Sequence, residues 1–212
     1  MIKYLLFDLD NTLYSCSYGL EANVARRIKE FTAAFLGLPP DEAWKQRKAV
    51  VKQYGTCLEW LMAEKGFTDV ESYFTAIHPQ GEADSLLPDP QLKTFLKSIP
   101  IPKAILTNSP REHADMIIEK LELGGIFTHI FDIRQCNFLG KPRLEVFNNA
   151  LNTLQVHAHE VLFIDDYPIY VQGFIAMGGN ALLFDERDVH GDKQLPRIQN
   201  LKEIISFLIP NS

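Results

Sequence analysis

The feature that most constrains the fold is a short apolar run near the amino end, followed directly by two acidic residues. Residues 2–7 are apolar and rich in aromatic side chains, which is typical of a buried strand. Because side chains alternate faces along a strand, Asp8 and Asp10 project to the same side. Two such carboxylates repel each other and lose solvation, so they persist only beside a cation or with one of them protonated. Since ligands bind at the carboxyl ends of strands in open α/β sheets, the sequence predicts a site for a hard cation here.

A calcium-binding loop is the main competing interpretation, because EF-hand loops also begin with Asp-x-Asp-x-Asn. If Asp8 is the first position, the glycine required at the sixth is Leu13 and the glutamate required at the twelfth is Gly19. The EF-hand interpretation therefore fails. A simple acidic turn is the alternative for an isolated pair of acids, and the apolar strand before this pair argues against it.

Composition narrows the class of protein and of partner. With 212 residues, the chain is long enough for one good core and an inserted subdomain. The net charge of −6 argues against a surface for a nucleic acid polymer, which needs clustered Lys and Arg. Cys16, Cys57 and Cys136 are widely spaced, which favours free thiols in a reducing cytosol. No apolar run has the length of a signal peptide or membrane span, so we expect a cytoplasmic monomer or homodimer without a membrane partner.

A helical period dominates the region after the first motif. Apolar residues recur at three- and four-residue steps over residues 17–36, and further helices are predicted from Pro40, over 57–65 and over 69–77. No stretch between residues 15 and 85 has a convincing strand period, and residues 87–90 have the composition of a linker. We therefore expect a helical insertion at residues 15–85, within a domain formed by residues 1–14 and 86–212.

Strand and helix patterns then alternate to the end of the chain. Strands are predicted at residues 103–106, 130–133, 161–164 and 181–184, and helices at 91–97, 111–121, 143–151, 169–177 and 201–208. Strands that alternate with helices of this length form a parallel sheet with helices on both faces. The predicted fold is therefore α/β: a Rossmann-like doubly wound parallel sheet core with an all-helical unit inserted after its first strand.

Polar residues follow the strand predicted at 103–106. Ser109 is expected to cap the next helix, with Pro110 in its first turn and Glu112 completing a capping box. Thr107 and Asn108 would then lie beside free helical N–H groups, which favour an anion. Taken alone, a Ser-Pro helix start without a ligand is the alternative.

A lysine and a second acidic pair complete the set of candidate site residues. Pro142 is predicted to open a helix, and Lys141 just before it is unfavourable there unless it faces an anion or an acidic cluster. Asp165 and Asp166 end the strand predicted at 161–164. With the first motif, this would place four carboxylates at one edge of the sheet, balanced by a divalent cation and Lys141. Ligation by oxygen alone selects Mg²⁺ or a similar hard ion.

Four motifs therefore occur in order at predicted strand ends: Asp8-x-Asp10-x-Thr12, Thr107-Asn108, Lys141-Pro142 and Asp165-Asp166. This arrangement resembles the haloacid dehalogenase-like hydrolase superfamily over about the whole core, and the helical insertion looks like its mobile cap of the helical type. A closer resemblance, to the pyrimidine 5′-nucleotidase-like branch, is carried by residues 7–14, 54–56, 61–64 and 87–90. The sequence departs from these relatives after the acidic pair, where Tyr167-Pro168 replaces a small hydroxyl residue.

The resemblance implies a role for each motif. Asp8 would attack phosphorus to form an aspartyl-phosphate, and Asp10 would protonate the leaving oxygen and then activate water. An acid at position 10 favours phosphate hydrolysis over dehalogenation, because a departing halide needs no proton. Mg²⁺ would be held by Asp8, the backbone carbonyl of Asp10 and Asp166, with Asp165 acting through water. The residues expected to hold the phosphoryl oxygens are Thr107, Asn108 and Lys141.

Substrate choice is expected to come from the helical insertion and the residues just before it. Tyr14, Tyr18, Tyr54 and His78 are candidates to line the cleft, with ordinary packing as the alternative for each. The expected substrate is a small phosphomonoester, with a pyrimidine nucleoside 5′-monophosphate first and a sugar phosphate next. Two further hypotheses are a phosphoryl-binding regulatory protein without turnover, and an enzyme that transfers the phosphoryl group to a second acceptor.

Overall fold

A six-stranded parallel sheet forms the centre of the protein. The structure is a computed structural model that describes residues 1–50, 53–191 and 194–208. In chain order the strands are Tyr4–Phe7 (β1), Lys103–Leu106 (β2), His129–Phe131 (β3), Val161–Asp165 (β4), Asn180–Phe184 (β5) and Arg197–Ile198 (β6). Their order across the sheet is β3-β2-β1-β4-β5-β6, and every neighbouring pair is parallel. The sequence predicted the first five strands, whereas β6 has only two residues and is too short to show a period.

The helices agree with the predicted alternation apart from their ends. Their bounds are Leu20–Leu36 (α1), Pro40–Val50 (α2), Cys57–Lys65 (α3), Val70–Ile77 (α4), Pro90–Ser98 (α5), Arg111–Lys120 (α6), Leu144–Leu154 (α7), Pro168–Ala176 (α8) and Ile205–Leu208 (α9). The first helix begins later than predicted because Gly19, at φ 72°, ends a separate 3₁₀ turn at Cys16–Tyr18. The last predicted helix is a 3₁₀ turn at Leu201–Ile204 followed by α9.

Helices cover both faces of the sheet, as a doubly wound fold requires. On one face, Leu5 and Phe7 of β1 pack in a cluster with Ile117 of α6. On the other face, Leu6 packs in a second cluster with Phe147 of α7. Because adjacent residues of one strand belong to opposite clusters, the two cores are separated by the sheet itself. The predicted fold class is confirmed.

The helical insertion has a core of its own. None of the described residues between 15 and 85 is in a strand. Buried side chains from α3 and α4, including Trp60, Leu61 and Tyr73, form a third cluster that also contains Ile133 from the loop after β3. The exact division at residues 15–85 stays a prediction. Among the helices of the described residues, none combines the length and the apolar character needed to cross a bilayer.

Strand register brings the predicted motifs to one edge of the sheet. Phe7, the last residue of β1, is opposite Ile105 of β2 and Ile164 of β4. The residues that follow these three neighbouring strands therefore emerge side by side. The same edge faces the helical insertion, so a cleft forms between the two.

Candidate active site

Lys141 lies at the centre of the strand-end cluster. Its Nζ is 2.6 Å from Oδ1 of Asp8 and 2.6 Å from Oδ2 of Asp165, and the residue is 1% exposed. Burial acts to lower the pKa of Lys141, but the carboxylates of Asp165 and Asp8 outweigh it and raise that pKa above its ordinary value. Lys141 is therefore a fixed ammonium that holds two buried carboxylates in place.

The predicted helix start at Pro142 is wrong. Arg143 is extended, with ψ 135°, and caps α7, which begins at Leu144. Lys141 therefore does not lie at the positive end of this helix, and its ammonium is held by carboxylates. The loop is fixed from the other side by Gly55 of the helical insertion, where a Cβ would come within 2.6 Å of the carbonyl oxygen of Gly140. Only a glycine permits this close approach of the two main chains.

Three carboxylates at this edge fit a hard divalent cation. Asp8, Asp165 and Asp166 each offer an oxygen, and these atoms lie within 4.8 Å of one another. Burial, with repulsion from neighbouring carboxylates, raises the pKa of Asp8 to about 7 although Lys141 opposes it, and raises the pKa of Asp166 to about 9. The single ammonium of Lys141 therefore does not neutralise the negative charge of these three carboxylates. Nearby, Oδ1 of Asn11 is buried without a hydrogen-bond partner among the described residues. Carboxylate and amide oxygens are ligands that Mg²⁺ accepts, so the donor set matches the ion that the sequence predicted.

The sequence departure at Tyr167 leaves the support of the acidic pair in place. The main-chain N–H of Tyr167 donates to Oδ1 of Asp165 at 2.8 Å. Nδ2 of Asn11 donates to Oδ2 of Asp166 at 3.3 Å. Because the Asp165 bond comes from the backbone, it does not depend on a hydroxyl side chain at position 167.

Asp10 belongs to a separate hydrogen-bond network. Its Oδ1 accepts from the hydroxyl of Tyr14 at 2.6 Å and from Nε2 of His113 at 2.7 Å. Its Oδ2 accepts from the hydroxyl of Ser109 at 3.0 Å. Burial acts to raise the pKa of Asp10, but the charge and hydrogen bond of His113 lower it below the ordinary range. Both oxygens of the Asp10 side chain therefore accept hydrogen bonds within this network, and its backbone carbonyl is left as the metal ligand implied by the family resemblance.

The predicted capping role of Ser109 is wrong, because Ser109 belongs to the hydrogen-bond network of Asp10. The residue that caps α6 is Pro110, which makes no side-chain capping bond. The hydroxyl of Ser109 points to Asp10 instead, so tertiary contact replaces the expected local bond. The carboxylate of Glu112 accepts a hydrogen bond from Arg134. Burial acts to raise the pKa of Glu112, but its hydrogen bonds lower that pKa.

His113 and Glu82 are site residues that sequence reasoning missed. Nδ1 of His113 is 2.5 Å from Oε1 of Glu82, and Oε2 of Glu82 accepts from Arg27 of α1 at 2.8 Å. Burial acts to lower the pKa of His113, but Asp10 and Glu82 raise it to about 10, so it is an imidazolium between two carboxylates. The pKa of Glu82 falls to about 2 despite burial, because His113 and His78 donate to it. The available signal was a histidine in the first turn of α6.

The three residues predicted to hold a phosphoryl group, Thr107, Asn108 and Lys141, lie together. Oδ1 of Asn108 accepts from the main-chain N–H of Lys141 at 2.8 Å, and its Nδ2 donates to the hydroxyl of Tyr170 at 3.2 Å. Oγ1 of Thr107 accepts from the main-chain N–H of Ser109 at 3.0 Å. Thr107, Asn108 and Lys141 all line the same cavity as Asp8. The structure therefore brings these predicted residues together, and adds Tyr170 as the partner that orients Asn108.

The four candidates for substrate choice are placed differently. His78 lines the cavity, with Nδ1 2.8 Å from Oε1 of Glu82. The hydroxyl of Tyr14 donates a hydrogen bond to Asp10. The ring of Tyr18 packs edge-on against the ring of Tyr14, with the two centroids 6.5 Å apart. The hydroxyl of Tyr54 donates to Glu64 at 2.9 Å. The three tyrosines do not line the described part of the cavity, and their role in substrate choice stays a prediction.

The cavity between the sheet edge and the helical insertion holds about 310 Å³. This volume suits a small molecule. Its sheet-edge side is polar and carries the predicted motifs. Its opposite side, which we call the apolar subsite, is formed by Val24, Ile28, Trp44, Arg47, Leu58 and Phe74.

Comparison with known proteins places this geometry in a family. A family model described as haloacid dehalogenase-like hydrolase matches residues 2–178. Phosphate metabolism protein 8 of Saccharomyces cerevisiae is 28% identical in an alignment of 193 residues, and the match covers 83% of this chain and 59% of that protein. Glyceraldehyde 3-phosphate phosphatase of Methanocaldococcus jannaschii is 27% identical in an alignment of 176 residues, and the match covers 78% of this chain and 77% of that protein. The chain thus spans about three fifths of the yeast relative.

Solved structures have the same fold. A HAD phosphatase from Thermococcus onnurineus superimposes with a TM-score of 0.65 and 18% identity, covering 98% of each chain. L-2-haloacid dehalogenase from Xanthobacter autotrophicus superimposes with a TM-score of 0.64 and 15% identity, covering 100% of each chain. At these identities the likeness establishes the fold alone. The family model, which matches well over half of the sequence, establishes membership: the chain belongs to the haloacid dehalogenase-like hydrolases.

Proposed function

We propose that this hydrolase is a Mg²⁺-dependent phosphomonoesterase that acts through an aspartyl-phosphate, with pyrimidine nucleoside 5′-monophosphates as its preferred substrates. The observation that carries the proposal is the separation of two carboxylates. Asp8 is held by Lys141 beside the acidic cluster, whereas Asp10 is held by Tyr14 and His113. Two carboxylates with different surroundings suit a nucleophile and an acid–base group. A dehalogenase has no need of the second, because a halide leaves without a proton.

The proposed reaction has two displacements at phosphorus. Oδ of Asp8 forms a bond to phosphorus as the bond from phosphorus to the ester oxygen breaks, and Asp10 gives that oxygen a proton that it takes from the His113 imidazolium bonded to it. Water, losing a proton to Asp10, which returns it to His113, then attacks phosphorus, and the bond between Asp8 and phosphorus breaks to release phosphate. Thr107, Asn108 and Lys141 donate to the phosphoryl oxygens as charge spreads over them.

Mg²⁺ would be held by Asp8, Asp166 and the backbone carbonyl of Asp10, with Asp165 acting through water. When bound, it supplies positive charge that offsets the repulsion between the Asp8 carboxylate and an anionic phosphate. The unbalanced charge of the acidic cluster supports this assignment.

The proposal is tested by phosphate release from CMP, UMP, AMP, ribose 5-phosphate and glucose 6-phosphate, with Mg²⁺ and with EDTA. We expect release that EDTA abolishes and that excess Mg²⁺ restores, with CMP and UMP hydrolysed fastest. If a sugar phosphate ranks first, the nucleotide assignment is wrong and the sugar-phosphate alternative holds. Loss of substrate phosphate to an added alcohol or sugar, with no free phosphate, would favour transfer to a second acceptor. Tight binding without turnover would favour a regulatory protein.

His113→Asn is expected to distinguish a loss of proton transfer by Asp10 from a general loss of active-site structure. The substitution removes the imidazolium that supplies a proton to Asp10, so proton delivery to the leaving oxygen should weaken. We expect kcat for UMP to fall by about 10²-fold, the lower end of what a general acid contributes. The loss should be much smaller for p-nitrophenyl phosphate, since nitrophenolate leaves without a proton. Steady-state kinetics on both substrates, with the exposed His159→Asn as the control, measure this difference. Equal losses on the two substrates would contradict the assignment.

A further inference from the structure

Arg47 is a buried cation that the chemistry at the sheet edge does not use. It lies on α2 in the apolar subsite and is 8% exposed. Its Nη1 is buried and has no hydrogen-bond partner among the described residues. A buried guanidinium N–H group without a partner costs free energy, so folding alone does not account for this one.

The groups around Arg47 do not supply a counter-charge. Burial raises the pKa of the Cys57 thiol, although Thr32 and Arg47 act to lower it. Burial also raises the pKa of Tyr73 well above its ordinary value. Both groups are therefore neutral near pH 7, where only their dipoles face the guanidinium.

The carboxylates that line the cavity are occupied elsewhere. Asp8 accepts from Lys141, and Asp10 accepts from His113. Glu21 and Asp166 both accept from Nδ2 of Asn11, at 2.6 Å and 3.3 Å. Arg47 is thus the cationic group of an otherwise apolar wall, and the hydrogen bonds of these carboxylates go to other groups.

We propose that Arg47 determines specificity by donating to acceptor atoms at the end of the substrate remote from its phosphate. The apolar side chains of the subsite would pack against the two faces of the substrate's organic part, and the guanidinium would donate hydrogen bonds to the edge of that part. The substrate class is therefore a phosphomonoester whose organic part is apolar on its faces and carries paired acceptors at its far edge. The inference rests on the proposed function, and it deepens it: the carbonyl oxygen and ring nitrogen of cytosine match the planar fork of an arginine.

Arg47→Met tests the inference. KM for CMP should rise roughly 10- to 100-fold, the range for hydrogen bonds from a charged donor, and KM for UMP should rise less, because N3 of uracil carries a hydrogen and cannot accept. Ribose 5-phosphate lacks the base and phenyl phosphate has no acceptor at its far edge, so their kcat/KM should be unchanged. Arg47→Lys should recover only part of the loss, because an ammonium lacks the planar fork. Lys48→Met, which removes an exposed charge from the same helix, is the control and should leave all four substrates unaffected.

Stability distinguishes a ligand-binding arginine from a structural one. Methionine fills apolar space and removes a buried charge whose Nη1 has no hydrogen-bond partner among the described residues, so the thermal midpoint of Arg47→Met should equal or exceed that of the wild type. A lower midpoint with equal losses on all four substrates would overturn the inference, as would an unchanged KM for the nucleotides. If the wild type hydrolyses p-nitrophenyl phosphate and not nucleotides, the nucleotide assignment fails separately. The inference is then judged on the best natural phosphomonoester found, for which an unchanged KM in Arg47→Met overturns it.

Discussion

Asp8→Asn is expected to lower kcat on the order of 10⁶-fold, the scale seen when a covalent nucleophile is removed from a hydrolase. The amide keeps the shape of the side chain and an acceptor for Lys141, but it does not attack phosphorus. Because burial already raises the pKa of Asp8 to about 7, a neutral side chain should be tolerated at this position. The variant should therefore fold normally and still bind substrate, with KM close to that of the wild type.

Asp185→Asn is the matched control for Asp8→Asn. Asp185 follows β5 at the same edge of the sheet and is also buried, but it accepts from Arg197 and from the main chain of residues 189 and 190. We expect Asp185→Asn to lose stability and to keep kcat. Phosphate release at more than a few per cent of the wild-type rate by folded Asp8→Asn would contradict the assignment of Asp8.

Lys141→Met is expected to abolish turnover and to lower the free energy of unfolding by about 3–5 kcal/mol, the cost of breaking a buried ion pair by removing one partner. The ammonium is within 2.6 Å of Asp8 and of Asp165. Without it, both buried carboxylates lose their cation, and Asp8 becomes a protonated and poorer nucleophile. Urea unfolding and phosphate release measure the two effects.

Lys103→Met is the control for Lys141→Met, because Lys103 is also a buried lysine. It lies at the opposite end of β2, where its Nζ donates to the carbonyl oxygens of Ile99 and Ile101. We expect this variant to lose stability while its kcat is retained. If Lys141→Met keeps wild-type stability, the carboxylates do not depend on this ammonium and the electrostatic description of the site is wrong.

The sheet and the order of the motifs could be predicted because their signals are local. Each of the first five strands is an apolar run bounded by turn residues, and alternation with helices determines parallel pairing. The acidic pairs end strands that are neighbours in the sheet, so their convergence follows from the fold. The strand β6 escaped prediction because two residues carry no period.

The second network could not be predicted, because its contacts join distant parts of the chain. His113 is 103 residues from Asp10 and 31 from Glu82, and a histidine on a helix face is usually an ordinary core residue. Ser109 had a good local capping pattern, yet its hydroxyl bonds Asp10. Arg47 lies on a helix whose sequence indicates only a charged surface, and its burial depends on packing against α1 and α3. In each case a tertiary contact overrides or hides the local pattern.

Acid quenching during turnover tests the central claim most directly, since it asks whether Asp8 carries the phosphoryl group. Asp10→Asn with p-nitrophenyl phosphate is the best combination, because the first step needs no acid while the attack of water has lost its base. We expect mass spectrometry to find a phosphoryl group on the peptide that contains Asp8, and to find none in Asp8→Asn. Phosphate release without a phosphorylated Asp8, or with the phosphoryl group on another residue, would contradict the account.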